Sequence, residues 1–442
     1  MVQIKYQRGF GNHFISEAKP DSLPKFGHSP QKVNHGLYAE QLSGTAFTAA
    51  RAKNQRSWLY RIRPSVNHEP FQRYKQERVL ASFHAHSPDI HPTPQQLRWD
   101  PLVEHGPKDV DFVDGLVTLA GAGDTHLKNG IAIHTYTATK GMRRRSFYNS
   151  DGDLLIVPQR VPLLIKTEFG LLHVPPLHIA VIQRGIKFSV DFDAADSVSI
   201  SNPAFGYICE TFKGHFELPD LGAIGANGLA NPEDFETPTA LYQDTTDNWT
   251  VINKFMGRFF SYNQTHSPYD VVAFSGNYVP YRYDLTKFNT IGSISYDHPD
   301  PSIFTVLTCP TDTHGTAVCD FVIFPPRWLV ADDTFRPPYF HRNCMSEFMG
   351  NIVGVYDAKA SGFVPGGASL HNMNSAHGPD AETFDKASNA PLKPAKVGEG
   401  SMSFMFESAY QLATTKYAIE ESGKVQQDYC KAWADLKKNF KE

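Results

Sequence analysis

The chain has 442 residues, of which 41% are hydrophobic and 20% charged, and its formal net charge is −4 at pH 7. This length exceeds the roughly 250–300 residues that one hydrophobic core usually serves, so we expect two domains. A slightly acidic balance argues against nucleic acid or an anionic membrane surface as a partner. The lack of an apolar leader and of any apolar run of about 18 residues predicts a soluble, cytoplasmic protein. Five scattered cysteines, an odd number, fit reduced thiols.

Strand patterns dominate the N-terminal part. The first 60 residues are rich in Gly, Asn and Ser and predict an irregular arm. Over 154–190, short apolar runs (LLIV, LLIK, HIAVIQ, IKFSV) are separated by Pro, Gly or charged residues, a rhythm typical of an antiparallel β-sandwich or barrel. In the turn that opens this region, Asp151 and Asp153 are expected to be solvated or to cap the turn.

The C-terminal part begins with a second β-rich segment, from about residue 291 through 324 and on past 356. After it, the sequence predicts a helix over 404–418. Near the C-terminus, a set of apolar residues recurs at helical spacing and predicts a short amphipathic helix: Tyr429, Trp433, Leu436 and Phe440. The aromatic-rich run NYVPYRYDLTKFN ends the first β region, so we place the domain boundary there. This gives an N-terminal domain of 1–285, including the arm, and a C-terminal domain of 286–442.

Two C-terminal segments, PPYFHRNCMSEFMG and SLHNMNSAHGPD, carry residues suited to metal chemistry. They contain His341, Glu347 and His377, the two-imidazole, one-carboxylate set of a non-haem Fe(II) centre that activates dioxygen. His341 and Glu347 are six residues apart, which places them on one face of an extended strand but roughly 120° apart on a helix. The Pro/Gly-rich SGFVPGGASL predicts a turn, so that a hairpin folds His371 and His377 back onto the first pair.

Spacing alone leaves the alternatives open. Because the chain has 19 His, any one of them is more often a surface or hydrogen-bonded residue than a ligand. His-x5-Glu is also a looser pattern than a paired CxxC or HExxH. His298, in YDHPDPSIF, either projects into a cleft or hydrogen-bonds its own backbone. Tyr356 either packs in a core or contacts a substrate.

Longer strings carry a resemblance to a known family. They include YQRGFGNHF, GLYAEQLSGTAFTAAR, FYNSDGDLLIVPQ, FVIFPPRW and FRPPYFHRNCMSEFMG. Over nearly its whole length the chain resembles the homogentisate 1,2-dioxygenases, ring-cleaving iron enzymes of phenylalanine and tyrosine breakdown. The resemblance implies a mostly β fold of cupin-like jelly-roll sandwich or barrel domains with a few peripheral helices. It also implies a homo-hexamer built as a dimer of trimers.

The resemblance assigns roles to individual residues. It implies that His341, Glu347 and His377 bind Fe(2+), that His298 is the proton acceptor, and that Tyr356 contacts the substrate. It also implies that the substrate ring lies on the His377 side of the metal. The implied reaction converts homogentisate and O2 to 4-maleylacetoacetate.

Two further residues follow from their positions next to the ligand motifs. His371 is predicted to lie behind the ligands, close to the substrate. Asn343 shares the strand face of His341 and is predicted to hydrogen-bond the substrate.

Two other functions remain in view. A related dioxygenase acting on gentisate or another hydroquinone acid would share the iron and the base and differ in the pocket for the acid side chain. A non-catalytic cupin acting in storage or binding would keep the barrel, but such proteins commonly lose metal ligands. The complete set of His341, Glu347 and His377 argues against that second alternative.

Overall fold

The computed structural model describes residues 4–104, 109–220, 229–292, 294–356 and 362–442. Within these residues the protein is mostly β, as predicted, with 29 strands and one α-helix, α1 (Ala381–Asn389). The remaining helical elements are single turns or little more: Asn34–Gly36, Ala194–Asp196, Pro232–Asp234, Leu285–Lys287, Pro301–Phe304, Tyr417–Glu421 and Tyr429–Trp433. Among the described residues, no helix has both the length and the apolar character needed to cross a membrane.

The strands are short and follow one another closely along the chain. The N-terminal ones are β1 (Tyr6–Arg8), β2 (Phe14–Glu17), β3 (Tyr38–Ser43), β4 (Arg56–Arg61), β5 (Gln72–Arg73), β6 (Ile90–His91), β7 (Leu97–Trp99), β8 (Leu116–Asp124), β9 (Asn129–Ala138), β10 (Arg145–Asn149), β11 (Asp153–Arg160), β12 (Leu163–Thr167), β13 (Gly170–Val174), β14 (His178–Ile182), β15 (Phe188–Asp191), β16 (Ala204–Thr211), β17 (Phe235–Pro238), β18 (Trp249–Phe255), β19 (Arg258–Gln264), β20 (Val271–Gly276) and β21 (Tyr281–Asp284). The C-terminal ones are β22 (Thr305–Pro310), β23 (Ala317–Phe324), β24 (Arg327–Leu329), β25 (Ser346–Val353), β26 (Ala368–His371), β27 (Ala395–Val397), β28 (Met402–Ser408) and β29 (Ala413–Thr415).

A ten-stranded sheet lies at the centre, in the order β1-β17-β21-β14-β11-β16-β9-β8-β29-β6. Successive residues of a strand point to opposite faces, and here both faces are buried. In β11, Leu154 and Ile156 enter one hydrophobic cluster, whereas Leu155 and Val157 enter another. A strand covered on both sides is a continuous apolar run, which explains why LLIV shows no alternation.

Two further sheets cover the two faces of the central one. The seven-stranded sheet β13-β12-β15-β10-β18-β19-β5 supplies Ile165 and Phe188 to the first cluster. The six-stranded sheet β22-β23-β28-β25-β26-β7 supplies Phe321 and Phe348 to the second. The prediction of stacked antiparallel sheets is therefore confirmed, although β10 and β18 pair in parallel. A four-stranded sheet, β2-β20-β4-β3, and the pair β24-β27 complete the described strands.

The two halves of the chain exchange strands. From the N-terminal half, β7 pairs with β26 at the end of the six-stranded sheet. From the C-terminal half, β29 lies between β8 and β6 in the central sheet. The second hydrophobic cluster accordingly draws on both halves, from Leu97 to Ala418. The six-stranded sheet that carries the candidate site is therefore fastened to the rest of the molecule through shared strands and a shared core.

The helix predicted over 404–418 is wrong. This region instead contains most of β28, then β29, and then only a short π-helical turn at Tyr417–Glu421. β28 lies between β23 and β25, and Phe404, Met405 and Phe406 are at most 2% exposed. Because both faces of this strand are covered, its apolar run has no period that separates a strand from a helix.

Two other predictions of local structure need correction. The helix predicted near the C-terminus is wrong beyond Tyr429–Trp433, a single 3-10 element. Leu436 and Phe440 are 37% and 70% exposed, so little apolar burial stabilises further turns. The prediction of an irregular N-terminal arm is wrong in part, because this region contains β1 to β4. Three of these strands, β2, β3 and β4, form the four-stranded sheet with β20.

Asp151 and Asp153 were expected in a solvated turn but are buried. Asp151 Oδ2 accepts a hydrogen bond from Lys254 Nζ at 2.7 Å. Asp153 pairs with Arg184 Nε at 2.8 Å and with His215 Nδ1 at 2.6 Å. Burial alone would raise the pKa of Asp153, but His215 and Arg184 lower it to about 2. These partners come from distant strands and loops, which the local sequence does not reveal.

Candidate metal site and its pocket

A hairpin and one isolated bridge bring the candidate ligands together. β25 and β26 pair antiparallel with Glu347 opposite His371, which confirms the predicted turn between them. Beyond the hairpin, His341 and His377 form an isolated antiparallel bridge, in which each backbone N–H donates to the carbonyl of the other residue at 2.9 and 3.0 Å. The bridge places the centroids of the two imidazole rings 4.1 Å apart.

The predicted reason for this convergence was wrong. His341 and Glu347 do not share one strand, because residues 342–345 are not extended and β25 begins only at Ser346. The Asn343 side chain accepts a hydrogen bond from the Met345 N–H, and this local turn redirects the chain between the two residues. The bridge to His377, and not a common strand face, orients His341.

The polar atoms of the three side chains point at one another. Glu347 Oε1 lies 3.5 Å from His341 Nε2, and Glu347 Oε2 lies 3.1 Å from His377 Nε2. In both rings Nδ1 faces a backbone carbonyl, that of Tyr339 at 2.7 Å and that of Ser375 at 2.9 Å. A carbonyl only accepts, so each Nδ1 carries the proton and each Nε2 is directed at the carboxylate.

This donor set fits a cation. One ligand atom from each of His341, Glu347 and His377 lies within 4.8 Å of the other two. Two Nε2 lone pairs and two carboxylate oxygens that converge on one point are electrostatically unfavourable unless a positive charge lies between them. Backbone carbonyls that hold the far nitrogen of a ligating His are the usual outer partners of metal sites. The three residues can therefore hold a divalent metal.

The ionisation of Glu347 agrees with this arrangement. Burial would raise its pKa, but the imidazoles of His341 and His377, which donate to it when they are also protonated at Nε2, hold the pKa well below its ordinary value. Asn343 Nδ2 also donates to Glu347 Oε1, at 2.6 Å. The pKa of His341 is raised, chiefly because the protonated ring donates from Nε2 to Glu347. The site thus keeps an ionised carboxylate in a largely buried position.

An acidic row behind the site was not predicted. In the sheet register, Glu407 of β28 lies opposite both Glu347 of β25 and Asp320 of β23. Burial and the neighbouring carboxylates Glu347 and Asp320 raise the pKa of Glu407 to about 8. A sequence signal for this row does exist, since MSFMFES and CDFVIF each contain one acidic residue within an otherwise apolar run.

A pocket is lined by the three candidate ligands and by other residues that the sequence analysis singled out. His298, Tyr356 and His371 all line it. The ring of His371 stacks on that of His377, with centroids 4.2 Å apart and planes 19° from parallel. Asn343 does not belong to this wall, because its amide is directed at Glu347. The full lining comprises His298, Pro301, Phe304, Phe324, Arg327, Pro338, His341, Glu347, Met349, Tyr356, His371, His377, Gly378, Pro379 and Met405.

Arg327 is a pocket residue that we did not anticipate. It begins β24, is 5% exposed, and is the only Lys or Arg in the described lining. Its guanidinium carbon lies 5.3 Å from the centre of the Phe304 ring, and Nη1 donates to the Pro325 carbonyl at 3.4 Å. The string FVIFPPRW contains it, but nothing in that string indicates that its side chain reaches the pocket.

The fold and the site together define a class: a β-sandwich protein with a largely buried two-His, one-carboxylate cluster in the lining of a pocket. Such a cluster leaves metal positions open for other ligands. Two family models match the chain, homogentisate 1,2-dioxygenase N-terminal over residues 5–285 and homogentisate 1,2-dioxygenase C-terminal over residues 286–440. The chain belongs to the homogentisate 1,2-dioxygenase family.

Full-length relatives agree with this. The chain is 55% identical over 440 residues to homogentisate 1,2-dioxygenase of Caenorhabditis elegans, covering 99% of this chain and 98% of the relative. It is 54% identical over 441 residues to homogentisate 1,2-dioxygenase of Dictyostelium discoideum, covering 100% and 99%. Among solved structures, Escherichia coli pirin in complex with nickel(II) matches 63% of this chain and 81% of its own at 11% identity, with a TM-score of 0.24. A TM-score this low supports no inference.

Proposed function

We propose that this protein opens the aromatic ring of homogentisate with O2, giving 4-maleylacetoacetate, as a step in phenylalanine and tyrosine breakdown. The observation that carries the proposal is the match to named relatives at 54–55% identity over essentially the whole chain. The pocket supports the proposal, because its lining contains both the candidate metal ligands and a cationic side chain suited to a small anionic substrate.

The metal we propose is Fe(2+), held by His341, Glu347 and His377. When bound, a ferrous ion would supply the redox-active centre through which O2 and an electron-rich phenolate can react. The chain's own contribution is to fix the ligands: the bridge between His341 and His377 sets the separation of the two rings, and the carbonyls of Tyr339 and Ser375 set their tautomers.

His298 is proposed as the base that accepts a ring-hydroxyl proton. It is half-buried in the pocket wall, and its ring meets that of Tyr339 edge-on at 6.3 Å. An imidazole with an ordinary pKa of about 6.5 is suited to accept a proton near neutral pH. We propose that it acts from this wall on a hydroxyl of a ring bound in the pocket.

Tyr356 and the ligand side of the pocket are proposed to orient the substrate ring. Tyr356 is 7% exposed, and the rings of Phe324 and Phe363 hold it edge-on at 5.3 and 6.0 Å. His377 is proposed to flank the bound ring, with His371 behind it. Direct hydrogen bonding of the substrate by Asn343 stays a prediction, since the structure directs the Asn343 amide to Glu347.

Arg327 is proposed to bind the acetate carboxylate of homogentisate. A carboxylate that enters a largely apolar pocket loses its hydration and needs a compensating positive charge. Arg327 provides that charge from a buried position beside Phe304. A guanidinium has five N–H donors in a planar fork, a geometry that suits bidentate recognition of a carboxylate.

Assembly, compartment and domain division also belong to the proposal. We propose a homo-hexamer built as a dimer of trimers, in the cytoplasm, with domains of 1–285 and 286–442. Trp328, Tyr339 and Phe340 are 57%, 53% and 45% exposed and adjoin pocket-lining residues in the sequence, which supports burial against another subunit. The two family models divide the chain at the same boundary.

Oxygen uptake by the anaerobically Fe(2+)-reconstituted protein tests the proposal, with homogentisate and gentisate supplied in parallel. We expect uptake with homogentisate, matched one-to-one by a ring-opened product. Preferential uptake with gentisate would keep the chemistry and refute the substrate assignment. Bound iron without uptake on either acid would refute the proposed activity.

A further inference from the structure

A tyrosine near the C-terminus contacts the residue behind the candidate ligands. Tyr429 is 4% exposed, and its hydroxyl lies 2.9 Å from His371 Nε2. His371 in turn stacks on His377 with ring centroids 4.2 Å apart. Two successive contacts therefore lead from the Tyr429 hydroxyl to the ring of a candidate metal ligand.

The segment that carries Tyr429, residues 424–433, is tied to β7 on one side; we call it the C-terminal strap. The Asp100 N–H donates to the Lys424 carbonyl, and the Gln426 N–H donates to the Arg98 carbonyl, both at 2.8 Å. The Arg98 guanidinium carbon also lies 4.3 Å from the centre of the Tyr429 ring. The strap is thus held against a strand of the same sheet that contains β25 and β26.

The other end of the strap contacts the loop that follows His377. Trp433 Nε1 donates to the Pro379 carbonyl at 3.1 Å, and the Trp433 ring lies 5.1 Å from the Tyr429 ring. The helix α1 follows this loop, and its first turn is capped by the Asp380 side chain, which accepts from the Thr383 N–H at 2.7 Å. The backbone around His377 is therefore supported from the same element that holds His371.

Stacking alone does not distinguish the two orientations of an imidazole that differ by a 180° flip about its Cβ–Cγ bond, because both keep the ring plane parallel to its partner. A hydrogen bond from the edge of the His371 ring to Tyr429 makes that distinction. Outer partners of this kind orient metal ligands, and their loss typically lowers metal affinity about 10–100-fold.

We propose that Tyr429 is a positioning residue for the metal site: its hydroxyl fixes the His371 ring, which supports His377 in the orientation that binds the metal. This inference rests on the proposed metal site. Tyr429 belongs to the C-terminal strap, which lies outside the sequence motifs that carry the candidate ligands.

The competing explanation is that Tyr429 stabilises the fold by packing and has no effect on the metal ligands. A double-mutant cycle on metal affinity distinguishes this structural role from the positioning role. The proteins are wild type, Tyr429→Phe, His371→Ala and the double variant. For each, the Fe(2+) dissociation constant is measured anaerobically by competition with a chromophoric chelator. The unfolding free energy of each metal-free protein is measured with denaturant. Tyr410→Phe is the matched control, because it removes a phenol hydroxyl that bonds Asn129 at 2.7 Å, outside the described pocket lining.

We expect Tyr429→Phe to weaken Fe(2+) binding about 10-fold, and Tyr410→Phe to leave it unchanged. In the His371→Ala background, Tyr429→Phe should not weaken Fe(2+) binding further, because the imidazole that connects Tyr429 to His377 is already absent. Wild-type affinity in Tyr429→Phe would overturn the proposal, and so would an equal loss with and without His371. If the wild-type protein bound no Fe(2+), both the proposed metal site and this inference would be refuted. If the wild-type protein binds Fe(2+), the cycle tests only the role of Tyr429.

Discussion

Replacing Arg327 with Gln removes the positive charge while keeping a polar side chain of similar reach. Arg327 is 5% exposed and lies against Phe304, so its partner carboxylate would also be shielded from water. A hydrogen bond to a charged group contributes about 1.5–3 kcal/mol. At about 1.4 kcal/mol per tenfold change, the KM for homogentisate should rise roughly 10–150-fold. Because the carboxylate is bound equally in the ground state and the transition state, kcat should change much less.

The assay is steady-state oxygen uptake by Fe(2+)-loaded protein with homogentisate and with its uncharged amide, 2,5-dihydroxyphenylacetamide. The wild-type protein should favour the acid strongly, and Arg327→Gln should largely remove that preference. Arg336→Gln is the control, since Arg336 bonds the carbonyls of Leu329 and Ala331 and does not line the pocket. An unchanged KM for the acid in Arg327→Gln, or an equal loss on the acid and the amide, would refute the carboxylate assignment.

The remaining predictions concern the ligands, the base and a buried ion pair. His341→Ala and His377→Ala should each lose iron after desalting, and stoichiometric iron in either one, measured by elemental analysis, would contradict the ligand assignment. His298→Ala should retain iron but lose most of kcat; near-normal turnover would exclude the base role. The lowered pKa of Asp153, about 2, contributes stability that is full above its unfolded pKa, near 3.8, and is lost as pH falls towards 2. This contribution is worth about 2 kcal/mol, so denaturant unfolding of metal-free Asp153→Asn should lack that part of the acid dependence, and an unchanged profile would refute it.

How far the sequence predicts the fold depends on what covers each strand. The β class, the sandwich and the turn before β26 followed from short apolar runs and Pro/Gly punctuation. The same reasoning mistook MSFMFES for part of a helix, because a strand buried on both faces has no alternation. It also missed the strands of the N-terminal arm, of which β2 and β4 pair with β20, more than 200 residues away in the sequence.

In the site, as in the fold, the sequence predicts what local motifs determine and misses what tertiary contacts determine. The three candidate ligands and His298 could be named because their motifs are contiguous and distinctive. Their convergence could not be derived from spacing, since the bridge between His341 and His377 orients them. Neither Arg327 nor Tyr429, which was named only as part of a predicted helix, was assigned to the site, because tertiary folding alone brings each of them to it. An arginine after two prolines and a tyrosine near a chain end have no local feature that indicates such contacts.

The proposed activity requires that the largely buried cluster bind iron with open positions for substrate and oxygen. Electron paramagnetic resonance of the Fe(2+)-loaded protein with nitric oxide, a stand-in for O2, tests this directly. We expect the S = 3/2 signal of a ferrous–nitrosyl centre in the wild-type protein, altered by anaerobic homogentisate and absent from His377→Ala. A signal that homogentisate leaves unchanged, or one that persists at full intensity in His377→Ala, would contradict the account.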